Sequence, residues 1–139
     1  MKKDIPIFFA CDDNFVKFTI VTLKSIMMNA STDYNYNVYI LNTNISDENK
    51  SLAYKVIEDH PNFNLVFEDV VLYLDSIKSN LPLRDYYSKT TYFRLFISQM
   101  HPEYDKAIYI DSDTIVKGDI SVFYSNKLDN NLVCSIACS

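Results

Sequence analysis

Gly118 is the sole glycine among 139 residues, and that scarcity restricts how the chain can hold a phosphorylated ligand. Backbone amides reach phosphate oxygens only where several glycines clear side chains from a tight loop, as in P-loop and dinucleotide-binding proteins. Loops of that kind are excluded here. If the protein binds phosphates, another group must neutralise them.

Hydropathy patterning predicts strands alternating with helices. Ile5-Pro6-Ile7-Phe8-Phe9-Ala10 is a continuous apolar run, suited to a strand buried on both faces of a parallel sheet, and Asp12-Asp13-Asn14 ends it. From Phe15 to Met28 the apolar positions Val16, Ile20, Leu23 and Met27 recur at helical spacing. Val38 to Leu41 reads as a second strand. Ser46 followed by Asp47 and Glu48 reads as a capped helix start, running to about Asp59. Leu65 to Phe67 reads as a third strand, Leu72 to Asn80 as a short helix, and Lys89 to Met100 returns to helical spacing. Lys106 to Ile110 reads as a fourth strand, closed by Asp111-Ser112-Asp113, and Leu132 to Ala137 as a fifth.

Such alternation implies right-handed crossovers and a mainly parallel sheet between helical layers, in a single domain over residues 1–139. The hydrophobic fraction of 48%, with 11 Tyr and 9 Phe, marks an ordered globular chain. Ligands of such sheets gather at the carboxyl ends of strands, where strand order reverses. The acids at 12–13 and 111–113 sit at two such ends.

The net charge of -5, with no basic run longer than two residues, opposes nucleic acid as a partner. The apolar stretch Ile5 to Ala10 is shorter than a signal-peptide core, and no segment is long enough to span a membrane. Cys11, Cys134 and Cys138 are odd in number and lack metal-site spacing, so reduced thiols and a cytoplasmic location are expected.

If the chain stays extended through residues 111–113, Asp111 and Asp113 face the same way with alpha carbons about 6.6 Å apart. Two carboxylates of that reach can converge on a hard cation, magnesium or manganese, which would supply the phosphate neutralisation that glycines do not. The same residues also read as a solvated acidic turn. Arg94 lies between Tyr92, Phe93, Leu95 and Phe96, and a cation embedded there needs a charged partner: a diphosphate, Asp12 or Asp111. Asp12, Asp13 and Asn14 either bond a base and ribose or cap the helix that follows. His60-Pro61 and His101-Pro102 each follow an expected helix, where structural roles suffice.

Three segments, Phe9-Ala10-Cys11-Asp12-Asp13-Asn14-Phe15, Thr90-Thr91-Tyr92-Phe93-Arg94-Leu95 and Tyr109-Ile110-Asp111-Ser112-Asp113-Thr114, occur in this order on these elements. In them the chain resembles the amino-terminal part of glycosyltransferase family 8, which includes bacterial lipopolysaccharide galactosyl- and glucosyltransferases and glycogenin. The resemblance implies a GT-A type, Rossmann-like three-layer α/β/α fold, truncated at its carboxyl end, that takes a UDP-sugar and transfers the hexosyl group with retention to a glycan or glycolipid acceptor. It implies uridine contacts at Ala10, Cys11, Asp12 and Asn14, with Phe15 against the uracil ring. Arg94 would approach the diphosphate and donor sugar, Asp111 and Asp113 would hold manganese, and the Ser112 backbone would lie near the ribose.

Two departures from the family pattern fall in the first segment, where Cys11 replaces another small residue and Phe15 a common tyrosine. The family's later His-x-x-Gly-x-x-Lys-Pro-Trp segment is absent, and the chain has no tryptophan. The resemblance therefore covers roughly half of a catalytic domain, expected to lack useful transferase activity alone, and any peripheral contact with a membrane would come from the missing part. Three other readings start from the same acids: a receiver domain, with Asp69 as acceptor but no lysine after the last strand; a phosphatase using Asp111 and Asp113, whose motif normally opens the fold; and a non-catalytic nucleotide-sugar sensor.

Overall fold

The computed structural model describes residues 1–77 and 89–129. In chain order these are β1 (Lys3–Ala10), α1 (Val16–Asn29), β2 (Tyr34–Asn42), α2 (Asp47–Ile57), β3 (Phe63–Asp69), α3 (Val71–Ile77), a 3-10 helix (Lys89–Phe96), α4 (Ile97–Met100), β4 (Ile108–Tyr109) and α5 (Ile120–Ser125). The four strands form one parallel sheet in the order β3-β2-β1-β4. A receiver domain sets its third strand beside its first. Here β4 takes that place, which removes the receiver reading.

β1 is buried on both faces, as its unbroken apolar run requires. Ile5, Ile7 and Phe9 pack with Val16, Leu23 and Ile26 of α1, Ala53 of α2 and Ile120 of α5. Phe8 points the opposite way, into a second cluster with Tyr39, Leu41, Val70, Phe93 and Phe96, its ring stacked 4.8 Å from that of Tyr39. These two clusters give three layers, α/β/α.

Pro6 is accommodated by register. Cys11 N–H donates to Leu41 O and Ile110 N–H to Phe8 O, so odd residues of β1 address β2 and even ones address β4. Pro6 therefore turns its missing donor toward β4, one residue before that ladder begins at Ile7 and Ile108.

Several boundaries differ from expectation. β2 begins four residues before Val38, because Asn35 and Asn37 find partners in Asp4 and Tyr104 and let a polar stretch join the ladder. Lys106 to Ile110 yields only a two-residue strand, Ile108–Tyr109, with Ile110 N–H still bonded to Phe8 O, and the Lys106 ammonium donates to the carbonyls of Tyr124 and Asn126 around the end of α5. Residues 89–100 are helical as expected, but wound as a 3-10 helix before one α turn. The predicted fifth strand, Leu132 to Ala137, and the end of the Leu72 to Asn80 helix lie outside the described residues. Among the described residues no helix is long and apolar enough to cross a membrane. Gly118 has nothing within 4 Å of the position a β-carbon would take.

Candidate active site

The strand order reverses between β1 and β4, and the loops leaving their carboxyl ends diverge to open a cleft of about 370 Å³. Ala10, Cys11, Asp12 and Phe15 from the first loop line it, together with Thr90, Thr91 and Arg94 from the 3-10 helix and Tyr109, Asp111, Ser112 and Asp113 from the second loop. A larger concavity of about 610 Å³ between α2 and β3 is an open surface bay with Glu58 as its only acid. The chemistry-bearing residues are in the smaller one.

Residues 112 and 113 form a turn, so the extended conformation expected for 111–113 does not occur. The acids nevertheless share the cleft, because the turn is pinned from beneath. The buried Ser112 hydroxyl donates to Ala10 O at 3.2 Å, tying the turn to the end of β1. Asp111 and Asp113 are both exposed. Among the described residues no third acid, histidine or cysteine joins them. Two carboxylates suit a magnesium-like ion, which commonly takes one or two from protein and the rest from water and substrate phosphates.

Arg94 is not embedded. Its side chain and that of Asp111 are 45% and 66% exposed, because helical winding sends Phe93 and Phe96 into the core and Arg94 and Leu95 outward. Neighbours in sequence are thus not neighbours in space. Arg94 Nε donates to Thr91 O at 3.1 Å, Nη2 lies 3.9 Å from Asp111 Oδ1, and the guanidinium carbon sits 4.6 Å from the centre of the Tyr109 ring. Of the partners considered, the structure gives Asp111. So exposed a pair is screened by solvent and is free to exchange for a phosphate.

Asp12 caps. Its Oδ1 accepts the N–H groups of Asn14 and Phe15, each at 3.0 Å, shaping the entry to α1. Asn14 does not line the cleft, and Asp13 turns away from it. The Asp13 carboxylate accepts from Asn49 Nδ2 at 2.8 Å and from the N–H and hydroxyl of Ser46 at 2.9 and 3.0 Å. Those donors hold its pKa below the usual carboxylate value. Cys11 is 2% exposed, and burial, opposed by a bond from Thr19 and reinforced by Asp12 and Asp13, pushes its thiol up to about 11. A thiol so protonated lines the cleft without being a nucleophile. Phe15 is half exposed at the mouth, its ring 5.6 Å from that of Phe18.

Asp69, the candidate receiver acceptor, accepts from Val71 N–H as a helix cap. Both histidines are structural. His101 is buried between the carboxylates of Glu68 and Glu103, at 2.9 and 2.8 Å, and the His60 ring lies edge-on to Phe63.

Sequence reasoning assigned no role to Tyr109, Thr91 or Thr22. For Tyr109 the signal was available: it precedes Asp111 by two positions, the repeat of a strand face. Burial raises its pKa, Arg94 opposes this, and Asp111 adds to it both by its charge and by accepting a hydrogen bond.

Comparison with known proteins agrees with this geometry. The glycosyl transferase family 8 model matches residues 6–137. Human glycosyltransferase 8 domain-containing protein 1 is 28% identical over 137 residues, covering 91% of this chain and 34% of its own length. The apo structure of the bifunctional glycosyltransferase WbbM superposes with a TM-score of 0.83 at 32% identity, over 95% of this chain and 22% of its own. The galactosyltransferase LgtC, solved with donor and acceptor sugar analogues, gives a TM-score of 0.69 at 23% identity over 89% of this chain and 43% of its own, which speaks for the GT-A fold. The chain spans about a third of the length of the curated relatives it matches. With the reversal of strand order, the cleft above it and the match over nearly every residue in agreement, the chain belongs to glycosyl transferase family 8.

Proposed function

We propose that this chain is the donor-binding part of a retaining hexosyltransferase that takes a UDP-sugar and serves a glycan or glycolipid acceptor of the cell envelope. The observation that carries the reading is the convergence of Asp111, Asp113 and Arg94 with the end of β1 on one cleft, in a chain with one glycine. The donor and acceptor analogues bound to LgtC support a sugar substrate.

In this reading Ala10, Cys11, Asp12 and Phe15 form the uridine end of the cleft, Phe15 offering its exposed ring to the base. The Ser112 backbone lies toward the ribose. Asp111 and Asp113 hold manganese or magnesium, whose chemistry is to neutralise the diphosphate. As the glycosidic bond breaks, the departing UDP gains about one unit of negative charge, and Arg94 stabilises it from the side of Tyr109. Each 1.4 kcal/mol of such stabilisation is about tenfold in rate.

Titration calorimetry of UDP with and without manganese tests the proposal, repeated with an Asp111→Asn, Asp113→Asn variant and with ADP and GDP as competitors. The expected result is uridine-selective binding that is weak without metal and strengthened by manganese, with the strengthening lost in the variant. Metal-independent binding, equal in both proteins, removes these acids from donor recognition. Sugar turnover in the protein separates a transferase from a sensor.

A further inference from the structure

Beyond Tyr109 the chain leaves the sheet, and the loop bearing both acids takes its shape from α1. Thr22, Ser25 and Asn29 recur at three- and four-residue steps on one face of that helix. Ser25 Oγ accepts Val116 N–H at 2.9 Å, and Asn29 Nδ2 donates to Val116 O at 3.1 Å. Thr22 reaches closer to the acids. Its hydroxyl, 1% exposed as a residue, lies 2.8 Å from Ser112 O and 2.6 Å from Thr114 O. One side chain thus gathers the carbonyls of the two residues flanking Asp113, while Ser112 fastens the same turn to Ala10. The backbone is folded around Asp113 by a helix that lies beneath the cleft and does not line it.

We infer that Thr22 is a positioning residue for divalent-cation binding, acting through the turn that presents Asp113 and Asp111. The inference rests on the donor-binding reading above. A carboxylate pair grips a cation only where both oxygen sets are held in place in advance, and groups that fix a ligand from behind typically contribute roughly 10- to 100-fold in metal affinity. Without the hydroxyl, the Ser112 and Thr114 carbonyls lose the single proton they share and the turn relaxes to find other donors. Valine preserves shape and burial while removing the hydroxyl; serine keeps it; cysteine offers a weaker donor of similar size.

The test is manganese titration in the presence of saturating UDP, alongside UDP titration without metal, for the wild-type protein and for Thr22→Val, Thr22→Ser and Thr22→Cys, each checked for folding by circular dichroism. Thr22→Val is expected to weaken manganese binding roughly 10- to 100-fold, with metal-free UDP affinity unchanged. Thr22→Ser should stay near wild type and Thr22→Cys should fall between. If the valine variant does not fold, the cysteine and serine pair carries the comparison. Wild-type manganese affinity in the valine or cysteine variant overturns the inference, as does an equal loss in the serine variant or an equal loss of metal-free UDP affinity. A wild-type protein indifferent to manganese instead overturns the donor-binding reading, so the two failures are distinguishable.

Discussion

The guanidinium of Arg94 lies 4.6 Å from the centre of the Tyr109 ring, with its Nη2 3.9 Å from Asp111 Oδ1 and its Nε on Thr91 O. The ring is a floor beneath the cation and the carbonyl anchors its Nε, while the exposed carboxylate stays exchangeable. An arginine held in this manner presents its free N–H groups to the cleft without first losing side-chain entropy.

That arrangement separates the contribution of charge from that of the platform. Arg94→Ala is expected to lower kcat by about 10²- to 10³-fold, the usual consequence of removing one donor from a charge that develops at the transition state. Tyr109→Leu removes a cation–π contact of about 0.5–1 kcal/mol, which is roughly two- to fivefold in donor affinity. Tyr109→Phe keeps the ring and should stay closer to wild type. Steady-state kinetics with a UDP-sugar donor, in a protein that carries the rest of the catalytic domain, checks the order; a phenylalanine variant as impaired as the leucine one assigns the effect to the hydroxyl.

His101 predicts a pH-dependent stability. Burial lowers its pKa, but the carboxylates of Glu103 and Glu68 outweigh burial and leave it above its ordinary value of 6.5. A raised imidazolium stabilises fully below the unfolded pKa and loses its contribution as pH rises through the folded one. The group also meets the rings of Phe8, Tyr39 and Tyr104, so its state is felt on β1 and β2. Thermal unfolding should shift downward as pH rises from the ordinary histidine value of 6.5 through the raised folded-state value in the wild-type protein, and His101→Gln should flatten that dependence. Parallel curves for the two proteins would assign the slope to other groups.

Asp13 predicts the opposite slope at the acid end. Its side chain ties the loop before α1 to Ser46, the cap of α2, and to Asn49 within α2, and its pKa is lowered from 3.8 by the Asn49 and Ser46 donors. A depressed carboxylate stabilises above its unfolded pKa, and that contribution disappears as pH falls through the folded value. Asp13→Ala should therefore lose melting temperature near neutrality and show a smaller further drop on acidification. UDP affinity at neutral pH should not change, because Asp13 does not line the cleft. A variant that melts like wild type but binds UDP poorly would return Asp13 to the ligand.

The strands were legible where one residue type dominated locally. Ile5 to Ala10 reads as a doubly buried strand because its apolar run needs both layers to cover it, and both clusters are present. Asp12, Asp111 and Asp113 were legible as a group because strand ends of a parallel sheet share one edge. What was not legible depends on partners distant in sequence. The 111–113 segment bends where Thr22, about 90 positions earlier, reaches the carbonyls of Ser112 and Thr114 on either side of Asp113. Arg94 reads as embedded only when flanking residues are taken as its surroundings, and winding separates them. Asn14, grouped with Asp12 and Asp13 as either a base and ribose contact or a cap, is absent from the cleft lining, and its N–H is taken up by the Asp12 cap.

The near absence of glycine also acts on the unfolded chain. Among the described residues the only positive φ is at Asp129, so the loops around the cleft are built from residues whose φ/ψ choices are already restricted by a side chain. A disordered polymer of such residues samples fewer states than a glycine-rich one, and less entropy is forfeited when it collapses. Loops that elsewhere need ligand to stiffen them can be firm beforehand here.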